Sequence, residues 1–222
     1  WWDELENIIL YKKDLPSTIS IIINYIKITF DLGQENKLND EIISRQIAWK
    51  AYETPPATLR CNVFLTIWEA LKPLNSERQQ EYLQTIRSWA GCNISARPDY
   101  LCMSIEQLQN LEENRLFAIG SHSSTHAALA FHDTSFQEQE LTGNKIFLEN
   151  ITNQKISTLA YPYGSYNCDT IDTAISAGFT SAFTTDEESV SNKTEPYRIG
   201  RFQVRNQNAS KFGESLERWL TM

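Results

Sequence analysis

Residues 116–126 read LFAIGSHSSTH, a short apolar run followed by a polar segment. The four apolar residues at 116–119 predict a short buried strand, which Gly120 ends. The polar segment that follows carries two of the three histidines in the chain, His122 and His126. Ligands of parallel α/β folds bind beyond the carboxyl ends of the strands, so this segment is the first candidate for a functional site.

The second half of the chain alternates predicted helices with predicted strands. Ser104 and Gln107 predict a capping box at the start of the first helix. The helices are predicted at 105–114, 134–151, 169–177 and 210–220, and the strands at 116–119, 156–161, 179–184 and 198–204. Because this alternation is typical of βαβ units, it predicts an α/β fold with a mostly parallel sheet or barrel.

The first hundred residues follow a different pattern, in which helices dominate. β-branched residues over 19–30 predict strands. Amphipathic periodicity predicts four helices, at 1–11, 41–52, 58–71 and 75–89. Gly91 stands where a glycine commonly caps the carboxyl end of a helix, just after the last of them.

Composition excludes several classes of protein. The 222 residues carry a formal net charge of −8, which argues against binding to nucleic acid or to an anionic membrane surface. No apolar run approaches the roughly 20 residues of a membrane span, and no signal-peptide pattern opens the chain, so the cytoplasm and the cell envelope both stay open. The four cysteines form no C-x-x-C pair, and we interpret them as reduced thiols that mostly pack.

The two histidines of the 116–126 stretch have the spacing of a metal site. Four residues apart, they are expected on one side of a helical turn, where both imidazoles can share one divalent ion. A catalytic zinc site needs a third protein ligand, commonly a carboxylate. His132 could be a third ligand or an acid, or only a loop residue before the next helix. The alternative for His122 and His126 is a pair of partly exposed histidines in a polar loop.

A second candidate follows the strand predicted at 156–161. Tyr161-Pro162-Tyr163-Gly164 is aromatic, rigid and ends in glycine. Backbone N–H groups in such a turn can stabilise an oxyanion, and tyrosine rings suit the faces of sugars. The alternative is a proline-stiffened strand exit with packed tyrosines.

Three motifs in order resemble those of the polysaccharide deacetylases, the NodB-homology proteins of carbohydrate esterase family 4. They are the segment from Gly120 to His126, then LAYPYG at 159–164, then AGFTSAFTT at 177–185. The resemblance implies a deformed (β/α) barrel and a divalent metal, most often zinc, that activates water against an acetyl group of a glycan. It also implies that His122 and His126 are metal ligands, that the backbone N–H of Tyr163 holds the oxyanion, and that residues 161–164 contact substrate.

The chain departs from this family's pattern at several positions. Thr29-Phe30-Asp31-Leu32-Gly33 is similar to the family's first motif, Thr-Phe-Asp-Asp-Gly, but has leucine in place of the ligand aspartate. We interpret it as a chance match, which leaves Asp31 a minor candidate. Ala160 stands where the family often has an arginine, and the histidine expected late in the chain as general acid is absent. We therefore expect this chain to correspond to the part of a deacetylase that follows the first motif. Its barrel is expected to be incomplete at the N-terminus.

Two regions follow from this interpretation. Residues 1–100 are expected to form a helix-rich inserted or cap region, and residues 101–222 the C-terminal part of the deacetylase-like barrel. The predicted function is metal-dependent removal of acetyl groups from N-acetylated oligo- or polysaccharides. The alternatives are a non-catalytic carbohydrate-binding or scaffold module on the same fold, and an amidohydrolase of small substrates with the same metal site. Nothing in the sequence predicts the oligomeric state.

Overall fold

The computed structural model describes residues 1–93, 97, 101–114 and 116–220, and divides the chain into two compact units. The first unit is Trp1–Cys102 and the second is Met103–Met222. The boundary predicted between residues 100 and 101 adjoins residue 100, which lies outside the described residues. Residues 221 and 222 also lie outside them. Within the described part, no helix is both long and apolar enough to cross a bilayer.

The first unit is helical apart from one hairpin. Strands β1 (Thr18–Ile23) and β2 (Ile26–Asp31) pair antiparallel with Thr18 opposite Asp31, which confirms the strands predicted over 19–30. The helices are α1 (Trp2–Glu6), which continues as a π-helical turn over Asn7–Tyr11, α2 (Asp40–Ala48), α3 (Leu59–Leu71) and α4 (Ser76–Ala90), with a 3₁₀ turn at Gly33–Asn36. Gly91 caps α4 in the left-handed conformation, as its position predicts.

A buried arginine joins three segments of the first unit. The side chain of Arg60 is fully buried. Its guanidinium donates to four backbone carbonyls, those of Ile9, Lys12, Glu35 and Asn36. Because these carbonyls belong to the turn after α1 and to the 3₁₀ turn after β2, Arg60 fixes both against α3.

The second unit is built on parallel pairing. Its helices are α5 (Ile105–Glu112), α6 (Thr134–Thr152), α7 (Cys168–Ser176) and α8 (Ala209–Leu220), with 3₁₀ turns at Leu129–Phe131 and Pro162–Gly164. Strand β3 (Thr158–Ala160) pairs parallel with β4 (Ser181–Phe183), and α7 connects them. Single parallel bridges extend this pairing, from Ser121 to Leu159 on one side and from Ile199 to Phe183 on the other. The βαβ prediction is thus confirmed, although the described residues form no closed barrel.

Two predicted strands do not form. In the 116–119 segment the N–H groups of Leu116 and Phe117 are used by Asn114 in the turn after α5, and both side chains are exposed. Pairing therefore begins only at Ser121. The strand predicted at 198–204 is reduced to the bridge at Ile199, because the chain then turns and the N–H of Arg201 donates to the carbonyl of Asp186.

The capping box predicted for α5 is present, with Ser104 and Gln107 exchanging side-chain and backbone hydrogen bonds.

The four cysteines are free thiols, but only Cys61 is buried, so the prediction that they mostly pack is wrong for the exposed Cys102 and Cys168.

Candidate functional site

The carboxyl ends of the parallel segments bring the predicted site residues of the second unit together. His122 follows the bridged Ser121, and Tyr161 to Gly164 follow β3. The ring centroids of His122 and His126 lie 4.7 Å apart, edge to face. The rings of His126 and Tyr163 lie 4.5 Å apart in the same arrangement. Two segments separated by 37 residues thus meet at one edge of the sheet.

The imidazole of His122 is oriented by the end of β3. Its Nδ1 lies 2.6 Å from the carbonyl oxygen of Ala160. Because a carbonyl oxygen only accepts, Nδ1 donates at this contact, and in the neutral tautomer that fits it the lone pair is on Nε2. This is the arrangement in which second-shell hydrogen bonds prepare a histidine to bind a metal.

The segment between the two histidines is an irregular loop, and the predicted helical turn does not form. Ser123 and His126 both take left-handed backbone conformations, with φ of 61° and 59°. For residues with a Cβ this conformation is uncommon and strained, and it clusters at functional sites. The loop still brings both imidazoles into contact, by a different backbone path from the one the spacing suggests.

The imidazole of His126 is held neutral. Burial first, and the nearby His122 second, lower its pKa to about 4. Metal binding requires a neutral imidazole, so His126 needs no proton release to act as a ligand near neutral pH.

The turn at Pro162–Gly164 is shaped by two left-handed residues in succession. Tyr163 has φ of 58° and Gly164 has φ of 65°. A Cβ on Gly164 would overlap Oγ1 of Thr185 and lie 3.1 Å from its Cβ. Glycine is therefore required here on two grounds, and the turn packs directly on Thr185, the second residue after β4.

The predicted substrate-contacting residues fall into two groups. Tyr161 is fully buried, stacks on Tyr166 and donates its hydroxyl to the carbonyl of Tyr197. Burial also raises the pKa of the Tyr161 phenol. Pro162 is buried as well. Both side chains are buried, whereas Tyr163 and Gly164 are partly accessible, and contact of residues 161–164 with substrate stays a prediction.

His132 lies apart from the other two histidines in its contacts. Its ring stacks on Phe136, with centroids 4.2 Å apart, and burial lowers its pKa. Across the described residues, no three histidine, cysteine, aspartate or glutamate side chains cluster as a metal site would require. The prediction of His132 as a third ligand is therefore not supported by the structure.

Comparison with known protein families shows which family this chain belongs to. The sequence profile of the family described as "Polysaccharide deacetylase" matches residues 68–182, just over half of the chain. The chain belongs to the polysaccharide deacetylase family. The matched range includes both the His122 loop and the Tyr163 turn.

Individual deacetylases resemble part of the chain. YxkH of Bacillus subtilis (strain 168), which is named as a polysaccharide deacetylase, is 26% identical over 113 residues. The match covers 50% of this chain and 40% of YxkH, so the chain spans about two fifths of that relative's length.

Solved deacetylase structures also match about half of the chain. Streptococcus pyogenes deacetylase PplD has a TM-score of 0.49 and 20% identity, over 53% of this chain and 52% of PplD. The polysaccharide deacetylase BC0361 of Bacillus cereus has a TM-score of 0.48 and 22% identity, over 54% of this chain and 38% of BC0361.

The segment that resembles the first deacetylase motif lies in the first unit. Asp31 ends β2, is exposed, and accepts a hydrogen bond from the N–H of Gly33 through Oδ1 at 2.9 Å. Leu32, at the place of the ligand aspartate, is fully buried in the core of its unit. These contacts give both residues structural roles in their own turn.

Two residues that sequence analysis missed contact the histidine loop from α6. The carboxylate of Glu140 accepts from the N–H and the hydroxyl of Thr125, and Oδ1 of Asn144 accepts from the hydroxyl of Ser121. Their spacing of four residues on a helix was a possible signal, because it puts both on one face. What it could not reveal is which segment that face meets.

Proposed function

We propose that the second unit carries part of the metal centre of a deacetylase that removes acetyl groups from N-acetylated glycans. His122 and His126 would hold the metal through their imidazole nitrogens, and zinc suits this donor type best. The observation that carries the proposal is the contact between these rings, with the proton of His122 fixed on Nδ1 by Ala160. Two imidazoles are a partial ligand set, since catalytic zinc has three protein ligands.

The chemistry follows from the residues around the metal position. Zinc, when bound, lowers the pKa of a coordinated water to about 7 and polarises a carbonyl. Hydrolysis adds one water across the acetyl C–N bond and releases acetate and the free amine. The N–H of Tyr163 is proposed as the donor to the oxyanion, because the left-handed turn puts this residue against His126.

The surface beside the Tyr163 turn suits an extended substrate. Thr185 touches Gly164 and also lines a cavity of about 460 Å³ with Arg201 and Phe202. An aromatic ring and a guanidinium are groups that contact sugar faces and hydroxyls. We propose that sugars next to the reacting one lie here, which makes an oligo- or polysaccharide the substrate class.

The test is release of acetate from N-acetylglucosamine oligomers by this chain, with Zn²⁺ or with a chelator. We expect zinc-dependent release, slow because two imidazoles are a partial ligand set, that is lost in His122→Ala and in His126→Ala. Release that survives chelation and both substitutions would reject the proposed metal site.

A non-catalytic glycan-binding module is the second candidate. It is favoured by one observation, that the described residues provide no cluster of three metal-binding side chains. Equilibrium binding of the same oligomers separates the two functions. Binding without acetate release that is unaffected by zinc and by His122→Ala supports the module, and zinc-dependent release rejects it.

A further inference from the structure

Helix α6 presents two polar side chains, one turn apart, to the loop that carries both histidines. Glu140 is buried, with 6% of its surface exposed, although carboxylates are rarely buried without partners. Its Oε2 accepts from the N–H of Thr125 at 2.8 Å, and its Oε1 accepts from the hydroxyl of the same residue at 2.9 Å. The hydroxyl of Ser124 donates to the backbone carbonyl of Glu140 at 3.1 Å.

Asn144 holds the other end of the loop. Its Oδ1 accepts from the hydroxyl of Ser121 at 2.6 Å and from the N–H of His122 at 3.4 Å. Gly143 lies between the two contacts, and the hydroxyl of Ser124 passes 3.4 Å from where its Cβ would be. The loop therefore lies directly on this face of α6 and is hydrogen-bonded to it at both ends.

We infer that Glu140 and Asn144 are positioning residues, which hold the backbone of residues 121–126 so that the imidazoles of His122 and His126 meet. The inference rests on the proposed function, because it assigns these residues to the metal site proposed above. Neither side chain is a metal ligand in this account, since each is already used by loop donors.

The physical need for such an anchor comes from the loop itself. Ser123 and His126 are left-handed, and such strained residues persist only where surrounding contacts determine their conformation. Thr125 immediately precedes His126, so its two bonds to Glu140 fix the chain next to the strained residue. Hydrogen bonds to a carboxylate are stronger than those to a neutral acceptor, which suits a site that must hold one geometry.

Three variants separate positioning from general stability. Glu140→Leu removes both acceptors at similar volume. Glu140→Gln retains an acceptor for the N–H of Thr125 and offers an amide N–H to its hydroxyl, so it should rescue. Thr125→Val removes the hydroxyl and leaves α6 untouched, which keeps the inference testable if Glu140→Leu fails to fold. The matched control is Glu138→Leu, on the same helix but exposed.

The first measurement is the dissociation constant for Zn²⁺, obtained by competition with a chromophoric chelator on folded protein. Loss of an outer-shell contact weakens metal binding by roughly 10- to 100-fold. We expect a loss in this range for Glu140→Leu, a smaller loss for Thr125→Val, and near-normal binding for Glu140→Gln and Glu138→Leu. Unchanged affinity in a folded Glu140→Leu variant, or an equal loss in Glu138→Leu, would overturn the inference.

A second measurement needs no metal, and it distinguishes failure of this inference from failure of the proposed function. In the metal-free protein, NMR should detect contact between the ring protons of His122 and His126, and slow exchange of the Thr125 amide. Both signals should be lost in Glu140→Leu and kept in Glu140→Gln. If the wild-type chain binds no zinc but shows this pattern, the metal proposal fails and positioning stands. If the ring contact persists in Glu140→Leu, positioning by Glu140 is wrong.

Discussion

The ring of His126 meets the ring of Tyr163 edge to face, with their centroids 4.5 Å apart. Both residues have left-handed backbones, and each follows a segment that pairs in the parallel sheet. This contact joins the histidine loop to the turn proposed to hold the oxyanion. A change in the backbone of either residue is therefore expected to alter the other. Substitution of Gly164, in the same turn as Tyr163, is a direct way to change that backbone.

Gly164→Ala should destabilise the second unit and displace the Tyr163 turn. Alanine at a left-handed position costs about 1 kcal/mol in backbone strain, and here its Cβ would also collide with Thr185. We expect a loss of about 2–3 kcal/mol in the free energy of unfolding, measured with urea.

Gly178 supplies the matched control for this prediction. It is also left-handed, with φ of 80°, but a Cβ there would meet nothing within 4 Å. Gly178→Ala should therefore show only the strain of about 1 kcal/mol. Equal losses at the two glycines would mean that the contact with Thr185 does not constrain the turn.

Arg60 should be among the most sensitive positions of the first unit. Arg60→Met removes the donors to four backbone carbonyls, and each buried unpaired carbonyl costs roughly 1 kcal/mol or more. We expect the free energy of unfolding to fall by roughly 3–5 kcal/mol. Arg60→Lys should recover little, because an ammonium group cannot reproduce the planar set of donors.

Arg78→Met is the corresponding control, because Arg78 pairs with Glu81 on the surface of α4 with half of its side chain exposed. Exposed ion pairs contribute about 0–1 kcal/mol, so this variant should be nearly as stable as the wild type. Similar losses for the two arginines would contradict the role assigned to Arg60.

His132 should make stability depend on pH. Burial lowers its pKa below the ordinary value of about 6.5 that applies in the unfolded chain. As the pH falls below about 6.5, the unfolded state takes up this proton first, so the free energy of unfolding should decrease. His132→Phe keeps a ring against Phe136 but cannot titrate. Urea unfolding between neutral pH and pH 5 should show a shallower decrease for this variant, and an unchanged decrease would contradict the prediction.

Local sequence signals predicted the four helices of the second unit and two of its predicted strands. The helix predicted at 134–151 is α6, Thr134–Thr152, and the side chain of Asp133 caps it by accepting from the N–H of Phe136. The strand predicted at 156–161 contains β3, and the helix predicted at 169–177 overlaps α7. Caps and apolar periodicity are determined by neighbouring residues, which is why these predictions succeed.

The failures arise where distant contacts decide the backbone. The apolar run at 116–119 looks like a strand, but Asn114 takes up the N–H groups that a ladder would need. The spacing of His122 and His126 suggests a helical turn, but the segment between them is an irregular loop. Hydrogen bonds from Thr125 to Glu140, fifteen residues away, hold this loop. No local pattern encodes such a partner. The carbonyl of Ala160 that orients His122 is farther still, 38 residues away in sequence.

Zinc binding by the chain tests the central claim most directly. The titration compares the wild type with His122→Ala and His126→Ala, and uses His132→Ala and Asp31→Ala as controls. We predict one zinc per chain, weakened more than about tenfold (1.4 kcal/mol) by loss of either His122 or His126, and unaffected in both controls. Zinc binding that persists undiminished without His122 and His126 would contradict the account.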